Sequence, residues 1–232
     1  MSHIHFIGGE KGGVGKSVVA RLLAQHWIDS STPIAVVDGD LSHGAMVRHY
    51  RDYSQPVDLN ASDSADQILD RALGNDRQVI VDLPAQSARA LKSWIFGANV
   101  LDLARELGVA VTFWQVTDGG YASLTQVADA LEAYGDRVRH VVVKNHGRSK
   151  DFTQFETSGV QAKLESLSGK IVDLPELDNA AMYKIDSLGL SFWAAAHADG
   201  EGTLRPLERE RVKLWLSRCY AALRSVDAAS PS

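Results

Sequence analysis

Short runs of aliphatic residues alternate with longer amphipathic stretches along almost the whole chain. Residues 3–9 (HIHFIGG), 32–40 (TPIAVVDGD), 77–85 (RQVIVDLPA), 108–117 (GVAVTFWQVT), 137–145 (RVRHVVVKN) and 169–175 (GKIVDLP) read as six strands. Between them, residues 17–29, 64–73, 119–135 and 151–167 carry helical spacing. The stretch from 86 to 107 supplies one or two further helices, and 208–226 closes the chain. Gly74 and Gly135 are expected helix stops, and Gly159 is an expected break inside 151–167. Strands rich in Val and Ile that alternate with helices predict an α/β fold. Its sheet should be doubly wound and mostly parallel, with helices on both faces. No repeat or low-complexity linker interrupts the pattern. Residues 1–226 are therefore expected to form one domain, and residues 227–232 a disordered tail.

In such sheets ligands gather at the carboxyl ends of the strands. The polar residues that follow each apolar run are therefore the ones to inspect. They are the glycine-rich stretch after the first strand, Asp38 with Asp40, Asp82, Thr117 with Asp118, Asn145, and Pro175 with Glu176.

Composition narrows the picture. With 29 acidic and 24 basic residues the net charge is −5, which argues against a strongly basic nucleic-acid binder and leaves room for a local basic face. A single cysteine, Cys219, excludes an internal disulfide and any cluster that needs several thiolates from one chain. There is no signal-peptide pattern and no apolar run long enough to span a bilayer, so a cytoplasmic protein is expected.

The stretch GGEKGGVGKS, residues 8–17, sits between a strand and a helix. That context gives a phosphate-binding loop its mechanism. Glycines let the backbone approach an anion, successive N–H groups form a nest, and the helix N-terminus adds partial positive charge. A P-loop NTPase with ATP and Mg²⁺ is expected. Gly12, Gly13, Val14, Gly15, Lys16, Ser17 and Val18 form the nucleotide site, Lys16 reaches the β- and γ-phosphates, and the Ser17 hydroxyl ligates Mg²⁺. The strict loop formula asks for glycine where this chain has Glu10; what fits is Lys-Gly-Gly-Val-Gly-Lys-Ser, residues 11–17.

That run resembles the deviant Walker A motif of the ParA/MinD family of ATPases, whose signature is the early lysine. The resemblance implies that Lys11 reaches across a homodimer to the partner's nucleotide, as a catalytic cation comparable to an arginine finger. It implies that Asp40 positions the attacking water, that Asp38 holds Mg²⁺ through its water shell, and that Asp82 in Asp-Leu-Pro is the Walker B carboxylate. Leu41 stands where the family often has proline. The resemblance further implies adenine contacts from Asn145 and from Pro175, Glu176 and Leu177. The loop is closest to short ParA-like proteins of plasmids, of the TraL/StbC type linked to conjugation and plasmid maintenance. The function so implied is an ATP-dependent sandwich dimer with slow hydrolysis that drives plasmid or DNA partition, conjugation-related positioning or cargo positioning, together with a protein activator or cargo adaptor. A membrane-associated switch of the MinD kind and a metabolic ATP-dependent ligase of the same fold are the alternatives.

Other features have plainer readings. Lys144, His146, Arg148 and Lys150, with Arg137 and Arg139 nearby, form a candidate nonspecific DNA patch or a solvated loop. The histidines, among them His3, His5, His43 and His49, show no paired metal-ligand spacing. The closing helix has an apolar stripe at 212, 215, 216, 219, 223 and 226, for which docking on its own domain is expected rather than membrane binding. Glu10 is placed to hold Lys11 away from its own nucleotide, or stands solvated.

Overall fold

The computed structural model describes residues 1–227 except 10, 43 and 75; the reading of Glu10, that of His43 and the tail beyond residue 227 fall outside the described residues. In chain order the elements are β1 (His3–Gly8), α1 (Lys16–Asp29), β2 (Ile34–Asp38), α2 (Ala45–His49), β3 (Ser54–Pro56) and α3 (Ser62–Asp70). There follow β4 (Gln78–Asp82), α4 (Ala88–Gly97), α5 (Val100–Glu106), β5 (Ala110–Thr117), α6 (Tyr121–Tyr134) and β6 (Arg139–Asn145). The chain ends with α7 (Thr153–Thr157), α8 (Val160–Ser166), β7 (Lys170–Leu174), α9 (Asn179–Leu188), α10 (Phe192–His197) and α11 (Pro206–Asp227).

The strands form one sheet of order β3-β2-β4-β1-β5-β6-β7, and every neighbouring pair is parallel. This is an α/β arrangement, a parallel sheet covered by helices on both faces. Period-two alternation divides the strand side chains between two helical layers. Ile4 and Phe6 of β1, Val79 and Val81 of β4, and Val111 and Phe113 of β5 pack with α3, α4 and α5. Ile7, Ile80, Trp114 and Val116 point the other way, into a core with α1, α9, α10 and α11. A smaller core joins Val142 of β6 to α6, α7 and α8.

The six expected strands are present. The seventh, β3, escaped the sequence pattern because Ser54, Gln55 and Pro56 carry no apolar alternation. Pro56 is tolerated there because β3 lies at the sheet edge, where a missing N–H costs no ladder bond. The stretch 151–167 is two helices, parted at Gly159 with φ 82°. α2, α9 and α10 are not among the helices expected from the sequence. α11 buries Val212, Trp215, Leu216, Cys219, Leu223 and Val226 in the core shared with α1, and the Trp215 indole donates to the Pro175 carbonyl at 2.8 Å. No described helix is long and apolar enough to cross a membrane.

Candidate functional site: a glycine loop and three strand-end carboxylates

The loop after β1 is fixed from below. Val14 is 1% exposed and belongs to the α1 core, so its side chain ties the middle of the loop to the domain. Gly15 precedes α1 with φ 104°, and a Cβ there would overlap the Asn145 amide nitrogen; glycine is required on both counts. α1 then begins at Lys16 with no side chain capping its first turn and no acidic residue in it. Its leading N–H groups and positive dipole end are left to an external anion.

The carboxylates reach the same place because β2 and β4 are neighbours in register, Asp38 opposite Asp82, and Ile7 of β1 is likewise opposite Asp82. Their environments differ. Asp38 is fully buried, and both its oxygens accept backbone N–H groups: Asp40 at 3.1 Å, Met46 at 2.8 Å and Val47 at 3.1 Å. Burial pushes its carboxyl above the ordinary range, against the pull of those N–H groups. Asp38 thus ties the start of α2 to the end of β2. Asp82 is 3% exposed, and one of its oxygens, Oδ1, has no hydrogen-bond partner. Burial raises its carboxyl to about 7. A hydrogen bond from Ser17 and the cations Lys16 and Arg21 work against that rise, while Asp38 adds to it. An orphaned, desolvated carboxylate oxygen beside a serine hydroxyl is the donor set a hard divalent cation takes. The residues present fit Mg²⁺ between Ser17 and Asp82.

Gly12, Gly13, Gly15, Lys16, Ser17 and Val18 line a cleft of about 440 Å³, faced by Asp40, Asp82 and the turn Leu83–Pro84–Ala85. Asp40 accepts the Ser42 N–H at 3.0 Å. Lys16 is 8% exposed and its ammonium donates to the Lys11 carbonyl at 3.3 Å. Lys11 is not among the lining residues; its ammonium is paired with Asp118 at the end of β5.

No family model matches the chain. It is 24% identical to Protein MobD of Acidithiobacillus ferrooxidans over 198 residues, which covers 83% of this chain and 86% of that one. It is 26% identical to Protein TraL of Escherichia coli over 133 residues, 55% of each. Among solved structures it matches the cell division protein MinD of Aquifex aeolicus with a TM-score of 0.54 at 14% identity, over 100% of this chain and 99% of that one. A chain of the Aquifex aeolicus MinC:MinD complex gives 0.55 at 12%, over 100% and 98%. A nucleotide-binding protein of Archaeoglobus fulgidus, solved in complex with ADP, gives 0.51 at 16%, over 81% and 86%. The chain shares the fold of these MinD and nucleotide-binding proteins.

In this MinD-like fold the cleft is also lined by residues that the sequence did not assign to the nucleotide site. They are Arg21, Arg48, His49, Arg148 and Asp186. Arg21 is 3% exposed; it donates to Asp186 at 2.8 Å and to His49 Nε2 at 3.0 Å, and its guanidinium lies 5.0 Å from the Phe192 ring centre. His49 donates from Nδ1 to the Leu190 carbonyl, and burial beside Arg21 lowers it to about 4, so it is neutral. One signal was available: Ser17, Arg21 and Gln25 recur every four residues and draw a polar line along an otherwise apolar helix. Asp186 had no such signal, because α9 reaches Arg21 only through the tertiary fold.

The four residues expected at the adenine base have partners outside the cleft lining. Asn145 sits under the loop. Its amide donates to the Val14 carbonyl at 2.7 Å and its oxygen accepts the Gly147 N–H at 3.0 Å. The Pro175 carbonyl is taken by Trp215, Glu176 pairs with Lys150, and Leu177 is 6% exposed within the α1 core; none of the three lines the cleft. The expected basic patch is not one face. Arg137 and Arg139 precede or begin β6, whereas Lys144 lies near its end; Lys144 is 3.6 Å from both Glu156 and Asp173, and His146 binds Asp173. Neighbouring carboxylates therefore offset most of that charge. No group of three or more His, Cys, Asp or Glu among the described residues is arranged for a metal.

Proposed function

We propose that this protein is a Mg²⁺-dependent ATPase of the ParA type, a switch whose two subunits close on ATP and part after hydrolysis. The observation that carries the reading is the glycine loop of residues 11–17, with Lys16 facing the cleft and a second lysine, Lys11, at the start of the run. Lys16 and the N–H groups of residues 12–18 would hold the phosphates, and Ser17 with Asp82 would hold Mg²⁺, which neutralises phosphate charge when bound. Asp38 supports this site from behind by fixing the segment that carries Asp40. Asp40 faces the same cleft and is assigned the attacking water, the role that the resemblance implies for it. Water adds to the γ-phosphorus, the bond to the β–γ bridging oxygen breaks, and ADP and phosphate leave. Lys11 of each subunit would stabilise the charge that develops on its partner's transferred phosphoryl group. The likeness to TraL, together with the plasmid type that the loop resembles, supports a role in plasmid partition or conjugation-related positioning, with a protein activator or cargo adaptor.

Sedimentation velocity with and without ATP tests this for the wild type, Lys11→Ala and Asp40→Ala. The wild type should respond to ATP, Asp40→Ala should be trapped as a dimer, and Lys11→Ala should stay monomeric while still binding nucleotide. Turnover alone should lie well below about 10 s⁻¹. A wild type that never responds to ATP, or a Lys11→Ala protein that dimerises as readily as Asp40→Ala, would overturn the reading.

A further inference from the structure

The lysine assigned to a partner's nucleotide is held inside its own subunit. The Lys11 ammonium forms an ion pair with Asp118 Oδ2, and the Lys11 backbone N–H donates to Gln126 Oε1 of α6 at 2.8 Å. Asp118 is built to receive it. Its other oxygen accepts the Ser123 hydroxyl at 2.6 Å and the Gly120 N–H at 3.2 Å. Thr117 fixes the same turn from the strand side: its hydroxyl accepts the Gly119 N–H at 3.0 Å and meets the Ser123 hydroxyl at 2.8 Å. Gly119 has φ 77°, and a Cβ there would press on the Asp151 carbonyl, so the turn has little freedom. Burial alone would raise the Asp118 carboxyl, but the hydrogen bonds from Lys11, Ser123 and Gly120 outweigh it and keep the group ionised at neutral pH.

The two ends of this pair are unequal. Asp118 is anchored and its side chain is 19% exposed, whereas the Lys11 side chain is 40% exposed on a loop. A part-exposed ion pair of this kind is weak and exchanges readily. A polyphosphate offers more charge and more acceptors, so the lysine can leave Asp118 when another subunit presents one.

We propose that Asp118 is an intrasubunit latch for Lys11, one that competes with the partner's phosphates and so sets the protein concentration at which the ATP-bound dimer forms. The proposal rests on the sandwich-dimer reading above and adds its regulation. Each subunit must open one latch to dimerise. A symmetric dimer therefore carries the cost twice, and a latch worth roughly threefold appears as about tenfold in the dimer dissociation constant. Asp118 acts through Lys11 and is a positioning residue, not a catalytic one.

The test is sedimentation velocity over a protein concentration series with a slowly hydrolysed ATP analogue and Mg²⁺. Asp118→Asn should dimerise at about tenfold lower concentration than the wild type, and Asp118→Glu should return towards it. Ser123→Ala, which loosens the carboxylate without changing charge, should shift dimerisation the same way by less; it carries the test if thermal melting shows that Asp118→Asn is unfolded. In a Lys11→Ala background Asp118→Asn should change nothing, because a latch without its lysine has nothing to hold. Dimers that are indifferent to Asp118, or an Asp118→Asn effect that persists in the Lys11→Ala background, overturn the latch and leave the dimer reading standing. Chains that bind the analogue yet stay monomeric in every variant overturn the dimer reading, and the latch with it.

Discussion

The Asn145 side-chain amide donates a 2.7 Å hydrogen bond to the carbonyl of Val14, 131 residues earlier in the chain. The end of β6 thereby holds the phosphate loop from beneath. The same amide occupies the space that a Cβ on Gly15 would need. The loop's shape is thus set jointly by a glycine within it and an asparagine far outside it.

Asn145→Ala should loosen the loop without removing any phosphate contact. It leaves the Val14 carbonyl without that donor in a buried place, which costs about 1–3 kcal/mol. For a chain of this size a melting temperature lower by roughly 2–10 °C is expected, with weaker nucleotide binding. Differential scanning calorimetry and fluorescent-nucleotide titration check it. Unchanged values for both would show that the hydrogen bond does not support the loop.

Gly15→Ala should be the more damaging change, since it meets both a φ of 104° and the Asn145 amide. Nucleotide binding should be lost in the single variant. The double variant Gly15→Ala/Asn145→Ala, which clears the space but keeps the strained φ, should recover only part of it. Full recovery in the double variant would assign the whole effect to the clash.

Lys16→Ala should abolish ATP binding, because it removes the buried cation beside Asp82 and the loop. Asp82→Asn should keep the fold, since it replaces a costly buried charge with a neutral isostere. Nucleotide affinity in that variant should lose its dependence on Mg²⁺. Titrations with and without the ion separate the two effects; an Asp82→Asn protein that keeps full Mg²⁺ dependence contradicts the assignment.

Stability should fall in acid through the histidines of β1. His5 donates from Nε2 to Gln78 at 2.8 Å and accepts the Trp114 indole N–H at 3.1 Å on Nδ1, which fixes a neutral ring. His3 stacks on it, 4.1 Å between ring centres, and burial together with nearby Arg139 lowers His3 to about 4. The folded values lie below the unfolded one near 6.5, so the unfolded chain takes up protons first. The contribution of these histidines should be level above about pH 7 and fall between about 6.5 and 4, by up to about 1.4 kcal/mol per pH unit for each. The raised Asp82 carboxyl acts with the opposite sign in that window, so the histidine part is read as the difference between wild type and His3→Gln. Urea denaturation at pH 8 and pH 5 should show the drop, and His3→Gln should reduce it. An equal drop in His3→Gln would place the acid sensitivity elsewhere.

The chain's own pattern was enough to determine the layered architecture and the position of the loop. Aliphatic period-two runs and helical spacing reflect burial, which is written locally along the sequence. The glycines of residues 11–17, set between a strand and a helix, mark a run of backbone N–H groups suited to an anion. What the pattern could not determine was how each polar residue is employed. Asp38 and Asp82 both end aliphatic strands and look alike in sequence. Only the packing of α2 over Asp38 supplies it with three N–H donors, while Asp82 is left with a bare oxygen beside Ser17. Asn145, Pro175 and Leu177 are likewise committed by the loop, by Trp215 and by the core, contacts that join residues about 40 to 160 positions apart. Asp118 becomes the partner of Lys11 only because β1 and β5 are neighbours in the sheet. Hydrogen bonding and desolvation depend on what the fold brings near, and that is the information a linear order of residues does not carry.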